Sequence, residues 1–376
     1  MLDTIRGLVS WSGAPAFLFV ITVVVFFHEL GHFLVARGFG VKVDVFSVGF
    51  GKEIFGWTDQ KGTRWKVSWL PIGGYVKFAG DIDAASRPDP QAASRMTIAE
   101  REGALMFKPL YQRALVAASG PLANFVLAVV LLTGILSATG HVTVAPIVGE
   151  VSKDSPAALA GIRTGDRVTR IDQTPITDFE QLPEIISVSS GVPLAIGINR
   201  GGHDMTIWVT PRRTKVRDML GNPTSQMVIG VRQSSKASVT RETYTPVGAF
   251  AAACTETWSI IKTTILGIAQ MIAGHGGADQ LSGPVGIAKM THQVAELGFL
   301  PLLNLAAVLS VSIGLANLFP IPLLDGGHLL YYGCEAALGR PLGERAQDVG
   351  FRLGLVLVLG LMLLTTWNDL VRLNLF

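Results

Sequence analysis

Apolar positions in this chain gather into four runs long enough to cross a lipid bilayer, which takes about 20 residues in a helix. They cover Ala14–Ala36, Ala114–Ala138, Leu300–Phe319 and Phe351–Trp367. A fifth apolar stretch, Val247–Ala273, carries Glu256 and Lys262 within it. Those charges predict an amphipathic helix lying on the membrane surface rather than a span.

Between the first two runs the pattern changes. VKVDVFSVGFGKEIFGW and TRWKVSWLPIGGYVKFAG alternate over short stretches broken by glycine. This predicts a small β-hairpin sheet across Val41–Gly80. Between the second and third runs, PIVGEV, VPLAIGINRGG and DMTIWVTPRR read as strands, with Gly161, Gly165-Asp166 and Asp172-Gln173 as punctuation. The pattern alone gives a small β-rich soluble domain with one or two helices.

The chain therefore reads as a polytopic α-helical membrane protein with about four transmembrane helices, a membrane-associated β-hairpin region and one inserted soluble domain. Residues 1–40 hold the first span, 41–113 the hairpin region and a cytoplasmic loop, and 114–140 the second span. Residues 141–240 form the insert, 241–297 the surface helix and a GPVGI segment, and 298–376 the third and fourth spans.

Composition agrees with a membrane protein. Apolar residues make up 49% of the chain and charged residues 16%, with a mean hydropathy of +0.43. Typical soluble domains are about 25% charged. A net charge of +3, with no Lys/Arg block interleaved with aromatics, leaves no case for nucleic acid. Cys254 and Cys334 form neither a CxxC pair nor a disulfide framework, and read as small buried hydrophobes. Arg6 followed by an apolar run imitates a signal peptide. The run continues straight into His28 with no small-residue cleavage site, so it reads as a retained span. The connection Arg37–Arg113 holds twelve Lys/Arg against eight Asp/Glu. Basic residues near span ends favour the cytoplasm, which would put both termini and the insert outside.

The chemistry concentrates at His28-Glu29-Leu30-Gly31-His32. On a helix, positions i and i+4 share one face, about 5–6 Å apart, so two imidazoles reach one tetrahedral zinc. Glu29 sits beside them, placed to take a proton from the attacking water. Three ionisable groups in a span are costly and need a function or partners. Counting about 1.5 Å per residue from Ala14 places His28 about 21 Å along the span, beneath one membrane face. Two His leave a protein ligand missing. Asp325 and His328 both qualify, in a segment where Pro320 and Pro322 unwind the chain after the third span.

Two resemblances add to this. AGIRTGDRVTRIDQTPI in the insert resembles a PDZ domain. The HExxH motif in the first span, the NLFPIPLLDGG segment and this insert together resemble the site-2 protease family. PIGGYVKFAG, GFGK, ASGPLANF and GPVGIAK fit its bacterial sigma-E-regulating branch. The resemblance implies one zinc per chain, held by His28, His32 and Asp325, with Glu29 as the base. It implies that Asn317, Pro320 and Pro322, and in the hairpin Gly49 and Gly51, help hold substrate. It also implies that the hairpin dips into the membrane beside the site. The family's relatives often carry two PDZ domains in tandem, and this chain has room for one.

The function expected from the resemblance is cleavage within the transmembrane segment of a single-pass membrane protein. The substrate would first be trimmed by another protease; an anti-sigma factor or a signal-peptide remnant would suit. The setting would be regulated intramembrane proteolysis in a bacterial inner membrane, as in a stress response. The site would lie near the cytoplasmic face, the PDZ domain in the periplasm with a ligand unnamed, and lipid would surround the spans. A membrane scaffold would favour a closed, four-ligand structural zinc and has no use for Glu29. An ion transporter would spread ionisable residues over several spans.

Overall fold

The computed structural model describes residues 13–81, 95–187, 189, 191–217, 223–235, 237–273 and 281–372. Arg6 and the 82–94 part of the loop expected to be cytoplasmic lie outside the described residues. In chain order the membrane part opens with α1 (Gly13–Gly38), β1 (Val43–Thr58), β2 (Arg64–Phe78), α2 (Ile98–Gly103) and α3 (Leu110–Thr139). The insert follows with β3 (His141–Val144), β4 (Val148–Val151), α4 (Pro156–Ala160), β5 (Arg167–Ile171), β6 (Thr174–Pro175), α5 (Gln181–Ser187), β7 (Leu194–Arg200) and β8 (His203–Val209). It continues with β9 (Arg212–Arg217), β10 (Pro223–Val228), β11 (Val231–Gln233), β12 (Val239–Glu242) and α6 (Pro246–Ile272). The chain closes with α7 (Pro284–Leu297), α8 (Phe299–Asn317), α9 (Asp325–Leu338) and α10 (Glu344–Arg372).

Two compact units result: Met1–Leu132 with Ser282–Phe376, and Thr133–Leu281. Four helices among the described residues are long and apolar enough to cross a membrane: Ala14–Gly38, Leu110–Thr139, Phe299–Asn317 and Arg345–Val371. They coincide with the four apolar runs. The last is longer at both ends than its apolar run, because helix propensity carries through polar residues that hydropathy does not count.

In the first unit, Val20 and Val24 of α1 pack with Leu127 of α3 and Leu302, Ala306 and Leu309 of α8. Small residues let the backbones come close. A Cβ on Gly31 would overlap the Ser119 carbonyl, and one on Gly314 would stand 3.0 Å from Asn124 Cβ and from the Pro121 carbonyl. The GPVGI segment is a helix start. Asp369 of α10 is buried and accepts from the amides of Gly283 and Gly286, at 3.1 and 2.8 Å, which caps α7.

The expected hairpin exists, with more folding than two straight strands. Val45 pairs with both Lys77 and Arg64, and Trp57 pairs with Trp65. Residues 43–48 therefore lie between 74–78 and 64–67, and 53–58 borders the latter. Gly49 and Gly51, at φ 87° and 91°, make the bend that lets β1 fold back. Phe46, Val76 and Phe78 pack against Phe33 and Ala36 of α1 and Val116 of α3. Segment 74–78 is an outer row, with no further strand paired to it among the described residues.

The second unit is β-rich with two short helices and the long α6. Strands run β6-β5-β7-β8 in its four-stranded sheet. Val168, Ile171, Ile196, Ile198 and Leu182 form its core with Val148. Gly165 at φ 92° and Asp172 at φ 51° make the turns read from sequence. Buried Asp166 takes two hydrogen bonds from Arg200 at 2.7 Å and one from the Arg163 amide at 2.8 Å. The strand pair β3–β12 brings the two ends of the insert together, His141 opposite Glu242.

Candidate metal centre

Helix α1 carries His28 and His32 on one face, both buried, with ring centroids 4.9 Å apart. Asp325 comes from 293 residues further along the chain. Helix α8 ends at Asn317, and the chain passes through Pro320 and Pro322 before α9 starts at Asp325 itself. The turn is tight. A Cβ on Gly326 would overlap the Phe319 and Leu318 carbonyls, and one on Gly327 the Ile321 carbonyl. This explains the two glycines after the aspartate. Leu323 adopts φ 125°, a strained conformation for a branched side chain, two residues before Asp325. The carboxylate of Asp325 sits in the first turn of α9, where the helix dipole favours negative charge.

Three donor atoms converge. His28 Nε2 lies 3.1 Å and His32 Nε2 3.4 Å from Asp325 Oδ2, and the two Nε2 atoms are 3.3 Å apart. Zinc with bonds of about 2.0–2.2 Å to nitrogen and oxygen needs tetrahedral ligand separations of about 3.4 Å. The observed edges match. Asp325 Oδ2 is buried and makes no hydrogen bond among the described residues, as expected of an atom reserved for a metal. His32 Nδ1 donates to the Val116 carbonyl at 2.8 Å, which leaves its Nε2 as a lone pair aimed at the site. The residues present fit one zinc ion, with the fourth position open.

A cavity of about 200 Å³ opens on these groups. Glu29, Asn317, His328, Tyr332, Arg113 and Val76 are among its lining. The Glu29 side chain passes against Gly74, where a Cβ would stand 3.4 Å from Glu29 Cγ. The backbone of Val76 lies beside its carboxylate. Glu29 is thus held between the two His ligands and the outer row of the sheet.

Of the residues singled out from sequence, His28, His32, Asp325, Glu29 and Asn317 come together here. His328 lines the same cavity but lies outside the cluster that His28, His32 and Asp325 form. Pro320 and Pro322 do not line the cavity; Pro322 packs against Gly354 of α10. Gly49 and Gly51 sit at the strand bend, also away from the lining.

Sequence reasoning passed over several participants. Arg113 makes a bidentate ion pair with Glu335 and lies 5.0 Å above the Tyr332 ring, closing one wall of the cavity. Gly120 passes so close to His32 that a Cβ would overlap the ring. Asn124, fully buried, reaches His28. The last two belong to the ASGPLANF segment, which the family resemblance picks out without giving either residue a role.

Comparison with known proteins agrees. The model of peptidase family M50 matches residues 16–361. A protein of Agrobacterium fabrum named "Putative zinc metalloprotease" is 43% identical over 355 residues, 94% of each chain. One of Rhizobium meliloti with the same description is 44% identical, over 95% of this chain and 96% of its own. "Metalloprotease MmpA" of Caulobacter vibrioides is 38% identical over 96% of this chain and 95% of its own.

Proposed function

The chain belongs to peptidase family M50 and is a zinc metalloprotease of the membrane, and we propose that it hydrolyses peptide bonds within transmembrane segments of other membrane proteins. The observation that carries this reading is the position of the ligand set. His28, Glu29 and His32 lie inside a helix apolar enough to span, and Asp325 closes the site from the segment that follows another such helix. A hydrolytic centre built there acts on chain at membrane depth.

Zinc, when bound, polarises the scissile carbonyl and lowers the pKa of water. His28, His32 and Asp325 would hold it. Glu29 takes the proton from the attacking water and passes it to the leaving amine. A substrate helix keeps its amides paired internally, so it must unwind before a carbonyl is reachable. The row 74–78 offers an unpaired strand edge next to Glu29, and an unwound substrate would add to it as a strand. Asn317 is positioned in the cavity wall to donate to the substrate backbone.

The finer reading places the protein in the sigma-E-regulating branch of the site-2 proteases, in a bacterial inner membrane. The excess of Lys/Arg between the first two spans supports a cytoplasmic site and an external insert. We read the insert as a PDZ domain, supported by its strand-and-turn pattern and by a groove of about 600 Å³ between α5 and the 226–233 segment. Its substrates are single-pass membrane proteins already trimmed outside the membrane, an anti-sigma factor or a signal-peptide remnant.

The test uses the full chain in lipid vesicles with a single-pass substrate. Mass spectrometry of the fragments locates the cut. Zinc-dependent cleavage inside the hydrophobic segment is expected. Cuts confined to juxtamembrane or soluble sequence would overturn the proposal.

A further inference from the structure

His28 and His32 are not held alike. The partner of His32 Nδ1 is a backbone carbonyl, which can only accept, so the proton is on Nδ1 and Nε2 is free for zinc. The partner of His28 Nδ1 is the side-chain amide of Asn124, with Nδ2 3.3 Å away. An amide offers a donor and an acceptor on one planar group. With Nδ2 facing His28 it would donate to Nδ1 and force the imidazole proton onto Nε2, the atom that points at Asp325. A zinc ligand cannot carry a proton there.

A second observation bears on the same amide. Asn124 is fully buried, and its Oδ1 has no hydrogen-bond partner among the described residues. A buried carbonyl left without a partner is destabilising. A half-turn of the amide exchanges oxygen and nitrogen in nearly the same places. Oδ1 then accepts from Nδ1–H of His28, and Nε2 becomes a lone pair aimed at the site, while Nδ2 takes the place the oxygen held.

The surroundings fix where this amide stands. The Asn124 backbone carbonyl accepts from Ser310 Oγ of α8 at 2.8 Å. Gly314, one turn further along α8, faces Asn124 Cβ with no room for a side chain. The same helix α3 thus carries both imidazole partners, the Val116 carbonyl for His32 and Asn124 for His28.

We infer that Asn124 is a positioning residue for the metal: its Oδ1 accepts from His28 Nδ1–H and selects the tautomer in which Nε2 binds zinc. The inference rests on the zinc protease reading of the site. Removing an outer partner of a ligating histidine typically weakens metal binding by about 10–100-fold.

The experiment measures zinc affinity of the detergent-purified full chain by competition with a chelator of known strength. Asn124→Leu keeps the volume and removes the acceptor. Asn124→Asp keeps an acceptor and removes the donor. The expected result is zinc binding weakened about 10–100-fold in the Leu variant and held within a few-fold of the parent in the Asp variant. A general packing defect would penalise the buried Asp charge at least as much as Leu, so rescue by Asp separates the two roles. Nitrogen-15 spectra of labelled histidine give an independent readout, in which the parent with zinc shows His28 protonated at Nδ1. Parent-like affinity in the Leu variant, or a tenfold loss in the Asp variant, overturns the inference. If Leu fails to fold, the Asp variant and the parent spectrum decide it. His28→Ala is the control for the premise: full zinc occupancy there would overturn the ligand set itself.

Discussion

Gly120 of α3 and His32 of α1 pass so closely that the glycine hydrogen occupies the only space between the helix backbone and the imidazole edge. Any side chain at position 120 would collide with Nε2, the atom that meets the metal. Gly120→Ala is therefore expected to remove zinc and activity together while leaving the insert folded. Metal analysis of the purified variant, with circular dichroism for fold, checks it. Stoichiometric zinc in that variant would show that α3 can retreat from the site.

Glu29→Gln is expected to abolish cleavage, by at least 100-fold on the general-base scale of about 10²–10⁴, and to leave zinc bound. Glu29 lies between the ligands and the sheet edge and belongs to the cavity lining, not to the ligand cluster. Cleavage and metal content are measured on the same preparation. A variant that still cuts within a few-fold of the parent would sink Glu29 as the base.

Asp325→Ala should lower zinc content and activity together, and His328→Ala should do much less to zinc. The two residues are one helical turn apart on α9 and line one cavity, yet only Asp325 Oδ2 lies within 3.4 Å of both Nε2 atoms. The reverse pattern of zinc loss would refute the assignment.

The four spans were legible because continuous apolar runs of that length have few other uses. The two His were legible because they share one helical face at fixed spacing, and Glu29 because it stands beside the first of them. Asp325 was narrowed to two candidates, since spacing along the chain says nothing about which side of a turn faces a site 293 residues away. Helices α7 and α9 were not anticipated. Each begins at a glycine- or proline-rich segment that signals a break, and their partners are long-range: Asp369 caps one, and Arg113 pairs with Glu335 on the other. Asn124 and Gly120 escaped because their importance comes only from what stands opposite them on α1.

Asp166 gives a pH prediction for the insert. Burial alone would raise its pKa, but hydrogen bonds from Arg200 and the Arg163 amide outweigh that and hold it below its ordinary 3.8. A lowered folded-state pKa contributes stability that is present above pH 3.8 and lost as pH falls through the folded value. At neutral pH, Asp166→Asn should speed amide exchange across β5 and β7 on the order of tenfold. The difference from the parent should shrink on acidification. Hydrogen exchange on the full chain measures it, and equal exchange at neutral pH would rule the linkage out.

The insert itself gives the last prediction. Its ends meet in the β3–β12 pair, and the Ala145 amide donates to the Ser238 carbonyl at 3.0 Å. Residues 145–238 can therefore be replaced by a short turn without pulling the flanking chain apart. Two roles predict opposite results. A folded domain of about 100 residues is roughly 25–30 Å across, enough to exclude a bulky substrate ectodomain while passing a clipped stub. Alternatively, the groove beside α5 captures the new C-terminus of the clipped stub by strand addition. Exclusion requires no shared C-terminal motif among substrates, and it is the role we expect. The deletion should then let the enzyme cut full-length substrates that the parent rejects, with trimmed substrates cut as before. Capture would instead weaken cleavage of the trimmed form. Both forms of one substrate are assayed with the parent and the deletion enzyme, with zinc content as the check that the metal site is intact. Continued rejection of the full-length form by a zinc-loaded deletion enzyme that still cuts the trimmed form would eliminate exclusion.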